Sequence, residues 1–474
     1  MSKEYKLQKG SLGLWYVVFF VVAAASPLTG VVGALPVAFM AGNGAGVAGT
    51  FVVAGALLLI FSFGLVAMSR HVVNAGAFYS YIVQGLGLTC GLAGFNVALL
   101  AYAAMQLSCS AMFGFFTELF VTRHFGSSLP WWAYAAFMQM AVIGLGIAKV
   151  EIGGKVLGVL MLLEIAIVLL MDAVFMTQPR TWEFSAFQPS TVLNGNFGIA
   201  MVFAICSFIG FEATAIYAEE CKEPKKIVAK ATFTAVILIT FFYAFTSWVF
   251  VQYTGASQIA AEAAKDPGVY VYNVAEQLLG GWAVEVISIL LITSLFAATQ
   301  AFHNSLSRYL FTISRDGLLW SKLAKTHAVY KTPYMASIAQ GIFMIAALVT
   351  FGLFKLDPMI NIFAWASVLG SMAIMVLQFG VSCAVIKYFR QHKHLQVSLW
   401  SRLIAPIISA LGMLVILYVV IGNLEMLSGS SSPVVLFLPW LLLACMLIGM
   451  ITARVLKHIN PQKYEDVTNI VIHS

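Results

Sequence analysis

Residues 433–453 run for 21 positions without one charged side chain. The stretches 14–39 and 46–68 are also uncharged and longer still. A hydrocarbon core of ~30 Å is crossed by roughly 20 helical residues. Lipid supplies no hydrogen-bond partner to a peptide group, so blocks of this kind form helices that satisfy their own backbone. Composition agrees. Charged residues make up 9% of the chain, against roughly 25% in soluble domains, too few to cover a water-facing surface.

Hydropathy predicts an all-α polytopic membrane protein with twelve transmembrane helices. They fall at about 14–39, 46–68, 88–119, 130–148, 153–176, 196–219, 228–253, 281–313, 334–354, 357–388, 403–425 and 433–456. Residues 75–87 read as a short interfacial helix. The longest connection, 252–280, contains two short amphipathic helices at 256–264 and 270–279, expected at the surface.

With twelve spans, Arg123, Arg180, Lys265 and Lys355 fall on one side of the membrane and the other 22 of the 26 Lys and Arg share the opposite side. Positive charge is retained on the cytoplasmic side, so both termini are expected there, in a multi-pass protein of the cell (inner) membrane. The net charge of +7 does not suggest nucleic acid as a partner, because no basic patch interleaved with aromatics occurs. The six cysteines have neither metal-site spacing nor a disulfide pattern, and no cofactor or metal is expected. The first apolar block is a full span with no cleavage pattern, so no removable signal peptide is expected.

Two helices carry features that break helices. The first reads Ala25-Ser26-Pro27-Leu28-Thr29-Gly30-Val31-Val32-Gly33 near its middle. Proline removes a donor and clashes with the preceding turn, and glycine weakens what remains. Taken alone, this is either a simple kink or a true break. The sixth carries Ser207-Phe208-Ile209-Gly210-Phe211-Glu212, a glycine and a carboxylate at membrane depth. Five spans separate the starts of the two, which gives them opposite directions. Matched interruptions in two halves point to a transporter binding site. Half-helix amides attract a carboxylate, and freed carbonyls accept from an ammonium.

Several stretches together resemble one family. Phe208-Ile209-Gly210-Phe211-Glu212, followed by Ala218-Glu219-Glu220 and Glu223-Pro224-Lys225-Lys226, is similar to the sixth-helix signature of the amino acid–polyamine–organocation superfamily. Asn74-Ala75-Gly76-Ala77-Phe78-Tyr79, Ser307-Arg308-Tyr309-Leu310-Phe311 and Ser314-Arg315-Asp316-Gly317 extend the resemblance. It implies one transporter domain over 1–456. Within it, a LeuT-like five-plus-five inverted repeat covers about 12–176 and 194–390, with broken first and sixth helices. Two helices at 403–456 lie outside the repeat, and 457–474 forms a cytoplasmic tail. It also implies secondary active transport of amino acids by alternating access. The chain departs from the family's frequent Gly-Ser/Ala-Gly triplet: its first break is Ser26-Pro27-Leu28-Thr29-Gly30, similar to the branch that includes bacterial permeases for amino acids and putrescine.

A charged side chain at mid-bilayer is costly and usually functional. Glu164 lies near the middle of the fifth span with apolar neighbours in sequence. It reads either as a carboxylate that couples protons to transport or as a protonated acid bonded to a neighbouring helix. In some proton-coupled relatives a lysine takes a similar place. Glu212 reads as a second pH-responsive or amine-contacting group, or as a cap for the second half of the broken sixth helix. Asp172 is expected to reach interfacial water and carries no assigned role. His303 and Asn304 read as packed, hydrogen-bonded residues.

The expected substrate site comprises Ser26, Pro27, Leu28, Thr29, Gly30, Cys206, Phe208, Ile209, Gly210, Phe211, Ser294 and Trp365, with weaker claims for Thr299, Tyr102 and Gln106. Glu219, Glu220, Arg308 and Arg315 are the candidate cytoplasmic gate; ordinary capping and positive-inside charge are the alternative. The expected cargo is a small amino acid or amine, accompanied by protons. A polyamine or organic-cation permease and an amino-acid exchanger stay open, although few intramembrane acids are present for a dication. A channel would need a filter or charged ring, and an ATP-driven pump would need a phosphate-binding GxxxxGK[ST] loop; neither is present. No paired aspartates or serine–base arrangement supports an intramembrane enzyme.

Overall fold

A computed structural model describes residues 7–148, 150–179, 182–429 and 432–473. Lys3, Lys6, Lys149 and Arg180, which enter the charge distribution above, lie outside the described residues. Among the described residues the chain is helical without strands, apart from an isolated bridge between Leu12 and Cys221. Among the described residues, eleven helices are long and apolar enough to cross a membrane, and Trp131–Ile147 is a shorter apolar helix. The chain is therefore an integral, multi-pass membrane protein.

Helix Leu88–Phe125 is the central post, packed by Gly281–Arg315, Ala364–Gln391 and Pro433–Ile459. Val47–Ser69 packs along Pro224–Thr254. Most of these helices are apolar on every side, as expected where both protein and lipid are apolar neighbours. Lys155–Phe175 shows how such a helix is still oriented. Val159, Leu162, Leu163, Leu169 and Leu170 are exposed, while Met161, Glu164, Val168, Met171, Asp172 and Phe175 are buried. The buried set recurs at three- and four-residue intervals, one face of a helix, so both acids face protein.

Helix ends follow local chemistry. Asp357 accepts from the amides of Met359 (2.8 Å) and Ile360 (2.7 Å), with Pro358 opening the helical segment that continues as Ala364–Gln391. Such a cap satisfies amides that have no intrahelical acceptor.

Three expectations need correction. Asp172 does not reach interfacial water: it is 1% exposed and accepts from the Thr246 hydroxyl at 2.7 Å. Helix Ala77–Leu86 is short, as expected, but it is packed inside the protein against Leu88–Phe125 and Ala364–Gln391. After its break, the sixth span does not resume as an α-helix; it continues as tight 3-10 turns at Phe211–Ala215 and Ala218–Glu220. The two short surface helices of the long connection are present as Ile259–Lys265 and Tyr270–Leu279.

Candidate substrate and coupling site

The first broken element stops as an α-helix at Ala25. Ser26 adopts a left-handed conformation (φ 46°), and Pro27 opens a new short segment. A residue before proline is disfavoured in the right-handed helical region, so the break follows from the dipeptide itself. The chain continues through a wide π turn, Gly30–Ala34, into Leu35–Ala41. Tyr243, from Pro224–Thr254, covers the gap. Its hydroxyl lies 3.4 Å from the Ala25 carbonyl, 3.5 Å from that of Ser26 and 3.4 Å from that of Pro27. The Gly30 amide also donates to the Ser26 carbonyl at 3.0 Å and faces that of Pro27, whereas the Ala25 carbonyl receives no backbone donor among the described residues. A Cβ on Gly30 would overlap the Tyr243 ring and hydroxyl, so glycine permits this approach.

The second broken element ends its α-helix at Cys206 and turns through 207–210. Gly210 has φ 114°, and a Cβ there would strike Ala24 of the first element. Within the backbone ladder no amide donates to the carbonyl of Ser207 or of Ile209 among the described residues. The Glu212 carboxylate accepts from the Gly210 amide at 3.0 Å and from the Tyr102 hydroxyl at 3.2 Å. Glu212 is therefore an acceptor at the break, as the capping reading expected, although it caps the turn and not a second α-helix.

The two elements run antiparallel and in contact. Gly210 lies on Ala24, Phe20 stacks on Tyr217 with ring centroids 4.7 Å apart, and Leu12 meets Cys221, where the single bridge is locally parallel. Residue numbers rise along one element as they fall along the other.

Glu164 joins this pair of breaks to a third helix. The Thr29 hydroxyl donates to Ser294 Oγ at 3.2 Å, and Ser294 Oγ donates to Glu164 Oε2 at 2.6 Å. The backbone amide of Leu28 faces the same carboxylate. Glu164 is 1% exposed, and ionising a buried carboxylate without a countercharge costs several kcal/mol. A proton or a cationic ligand removes that cost.

Other expected residues sort by environment. Cys206 Sγ donates to Ser371 Oγ at 3.1 Å. Trp365 lies six residues before Ser371 on the same helix, a rise of ~9 Å, and its buried indole N–H has no hydrogen-bond partner among the described residues. Phe208, Ile209 and Phe211 are buried, and Phe211 meets Phe61 edge-on at 6.0 Å. Thr299 bonds the Leu295 carbonyl in its own helix. Gln106 belongs to a separate buried network with Gln139 (3.1 Å) and His303; His303 also bonds Ser337 (2.7 Å) and Gln340. That is the packed environment expected of His303. Tyr243 and Ser371 were not anticipated, because a lone Tyr or Ser within an apolar span carries no local signal of what it meets.

At one end of the site, two arginine–carboxylate pairs close the gap between the second broken element and Gly281–Arg315. Arg308 donates to Glu220 through Nε (2.6 Å) and a terminal nitrogen (3.0 Å), and it stacks over Tyr217. Arg315 donates to both Glu219 oxygens at 2.9 and 2.8 Å, and the Ala75 amide adds a third bond at 2.9 Å. Burial opposes ionisation of Glu219, but Arg315 outweighs it and holds the carboxyl below its usual range. The strand-like segment at Leu12 lies across this end, bonded to Glu220 O and the Lys222 amide, both at 3.0 Å. Lys225 and Lys226 take no part in the two pairs; Lys226 bonds Glu223 at 2.6 Å.

The family model described as amino acid permease matches residues 11–460. The chain belongs to the amino acid permease family. This permease is 27% identical to the branched-chain amino acid permease BcaP of Bacillus subtilis (strain 168), over 72% of the chain and 76% of the relative. It is also 27% identical to the methylthioribose transporter of the same organism, over 76% and 78% of the two chains. A 24% likeness to the mouse (Mus musculus) Asc-type amino acid transporter 1 covers 60% of the permease and 54% of the relative. The match bears out the resemblance to the amino acid–polyamine–organocation superfamily and places the chain among transporters, not enzymes.

Proposed function

We propose that this permease carries a small amino acid by alternating access, coupled to protons through Glu164. The observation that carries this reading is the chain Thr29–Ser294–Glu164, which ties the first break to a buried carboxylate. Pro27 has no N–H and the Leu28 amide faces Glu164, so the Thr29 amide is the one offered to the substrate carboxylate. The freed carbonyls of Ala25, Ser207 and Ile209 are offered to its ammonium. Cys206, Trp365 and Ser371 bound the space for the side chain. Protonation of Glu164 removes the charge assistance from its bond with Ser294 and so loosens the chain to Thr29. Antiparallel contact of the two broken elements supports a five-plus-five inverted repeat with twelve spans, Trp131–Ile147 being the fourth. The charge asymmetry supports cytoplasmic termini in the cell membrane. The bidentate pairs at Glu219 and Glu220 then lie at the cytoplasmic end, closed here, while Thr29, Gly30 and Gly33 beyond the first break keep solvent exposure.

The name of the methylthioribose relative argues that the shared scaffold does not by itself decide cargo. Uptake into proteoliposomes, with labelled amino acids, polyamines and methylthioribose and with or without an imposed pH gradient, tests the proposal. Gradient-stimulated uptake of an amino acid is expected. Absence of uptake for every amino acid would overturn the cargo reading, and uptake indifferent to the gradient would overturn the coupling.

A further inference from the structure

A second concavity, of about 810 Å³, opens on the surface away from the broken helices. Three spans meet there by their ends: Gly44–Ser69 at its C-terminus, and Pro224–Thr254 and Trp400–Gly422 at their N-termini. It therefore sits at one face of the membrane. Arg70, Lys225, Lys226 and Lys230 line it with His71, and no acidic residue does. Lys226 is held by Glu223 at 2.6 Å outside the lining. Arg70, Lys225 and Lys230 are exposed, and no ion-pair partner within 4.0 Å is recorded for them among the described residues. The crowding of positive charge is felt by His71, whose imidazole is pushed down by burial first, then by Lys225, Arg70, His392 and His394.

The floor of the concavity is apolar. Phe63 and Phe233 pack at 5.1 Å, and Phe63 meets Trp400 edge-on at 6.1 Å. Ile237 and Ile404, one turn further along from Phe233 and Trp400, are exposed. An apolar strip thus leads from the basic rim down the side of the bundle. A free inorganic anion gains nothing from that strip. An amphiphile gains from both parts.

We infer that this groove binds the headgroup of an anionic phospholipid, with its acyl chains laid along Phe63, Phe233 and Trp400. Basic pockets between membrane helices attract such headgroups; the basic rim comes from two spans and the end of the third completes the groove, so the lipid ties them together. The inference needs only that the chain is embedded in a membrane, and it stands apart from the transport reading.

The test uses the full chain purified in detergent, followed by native mass spectrometry and thermal unfolding. Phosphatidylglycerol, phosphatidylcholine and inorganic phosphate are added separately. Phosphatidylglycerol is expected to bind and to raise the unfolding temperature, and the other two to do neither. The triple variant Arg70→Gln, Lys225→Gln, Lys230→Gln is expected to weaken phosphatidylglycerol binding by roughly a hundredfold. A control removing equal charge elsewhere, Lys322→Gln, Lys355→Gln, Lys463→Gln, is expected to leave it unchanged. Should the triple variant not purify, Lys230→Glu alone reports in the same direction on an exposed side chain. Equal phosphatidylglycerol binding in the groove variant and the control would overturn the inference. So would equal stabilisation by phosphatidylcholine, or by phosphate alone, which would mark a site for a free anion.

Discussion

Arg308 and Glu220 form a bidentate ion pair in which both residues are 1% exposed. Removing one partner of such a pair strands a buried charge and costs about 3–5 kcal/mol. Glu220→Gln and Arg308→Ala are each expected to lower the unfolding temperature in detergent. As components of a gate they are also expected to raise the accessibility of the neighbouring Cys221, 3% exposed, to a thiol reagent. Unchanged labelling alongside lowered stability would leave the pair a structural one.

Glu164→Gln keeps the shape of the side chain and its bond with Ser294 but cannot exchange a proton. Uptake by the variant is expected to lose its response to an imposed pH gradient. Ser294→Ala should reduce uptake while retaining that response. A Glu164→Gln protein with a normal pH profile would remove this residue from the coupling mechanism.

Gly210 combines φ 114° with a Cβ position blocked by Ala24. Gly210→Ala is expected to cost of order 1–3 kcal/mol from backbone conformation alone, and to abolish uptake. Gly30→Ala, whose Cβ would overlap Tyr243, is expected to abolish uptake through that clash, without a backbone cost. Gly422→Ala, where an added Cβ meets nothing within 4 Å, serves as the neutral control. Uptake and unfolding temperature, measured together, distinguish loss of the site from loss of the fold.

Asp316, just beyond the end of Gly281–Arg315, has its carboxyl pushed by burial from 3.8 up to about 7, against the opposing pull of Arg315. Between these values the folded protein holds a proton that the unfolded chain has released. The contribution of Asp316 to stability is therefore greatest in acid and falls as pH rises through about 4 to 7. Glu219 acts in the opposite sense: its lowered value adds stability above the ordinary carboxylate range, lost as pH falls below it. Asp316→Asn is expected to flatten the decline in unfolding temperature between pH 5 and 7, a change read directly from thermal scans.

The positions of the spans were legible because hydropathy is a local property of the chain. The breaks were legible for the same reason: Ser26-Pro27 and Gly210 disrupt a helix whatever surrounds them. Glu164 was legible too, as an acid set among apolar neighbours in the middle of Lys155–Phe175. Depth along that helix was read less well, and Asp172 proved buried because Thr246 of another helix offers it a hydroxyl.

Sequence alone thus determined that this chain lives in a bilayer, where its helices run and where two of them fail, because each depends on residues within a turn or two. Only the tertiary structure decided which partners meet at those failures. Thr29 and Ser294 are 265 residues apart, Ser294 and Glu164 130, and Arg308 and Glu220 88. Two arginines and two glutamates allow more than one pairing, and nothing local selects among them. Tyr243 is one aromatic among many until the packing of Pro224–Thr254 brings its hydroxyl near the carbonyls of Ala25, Ser26 and Pro27. Contacts across such separations are set by how whole helices pack, and no short window of sequence contains that information.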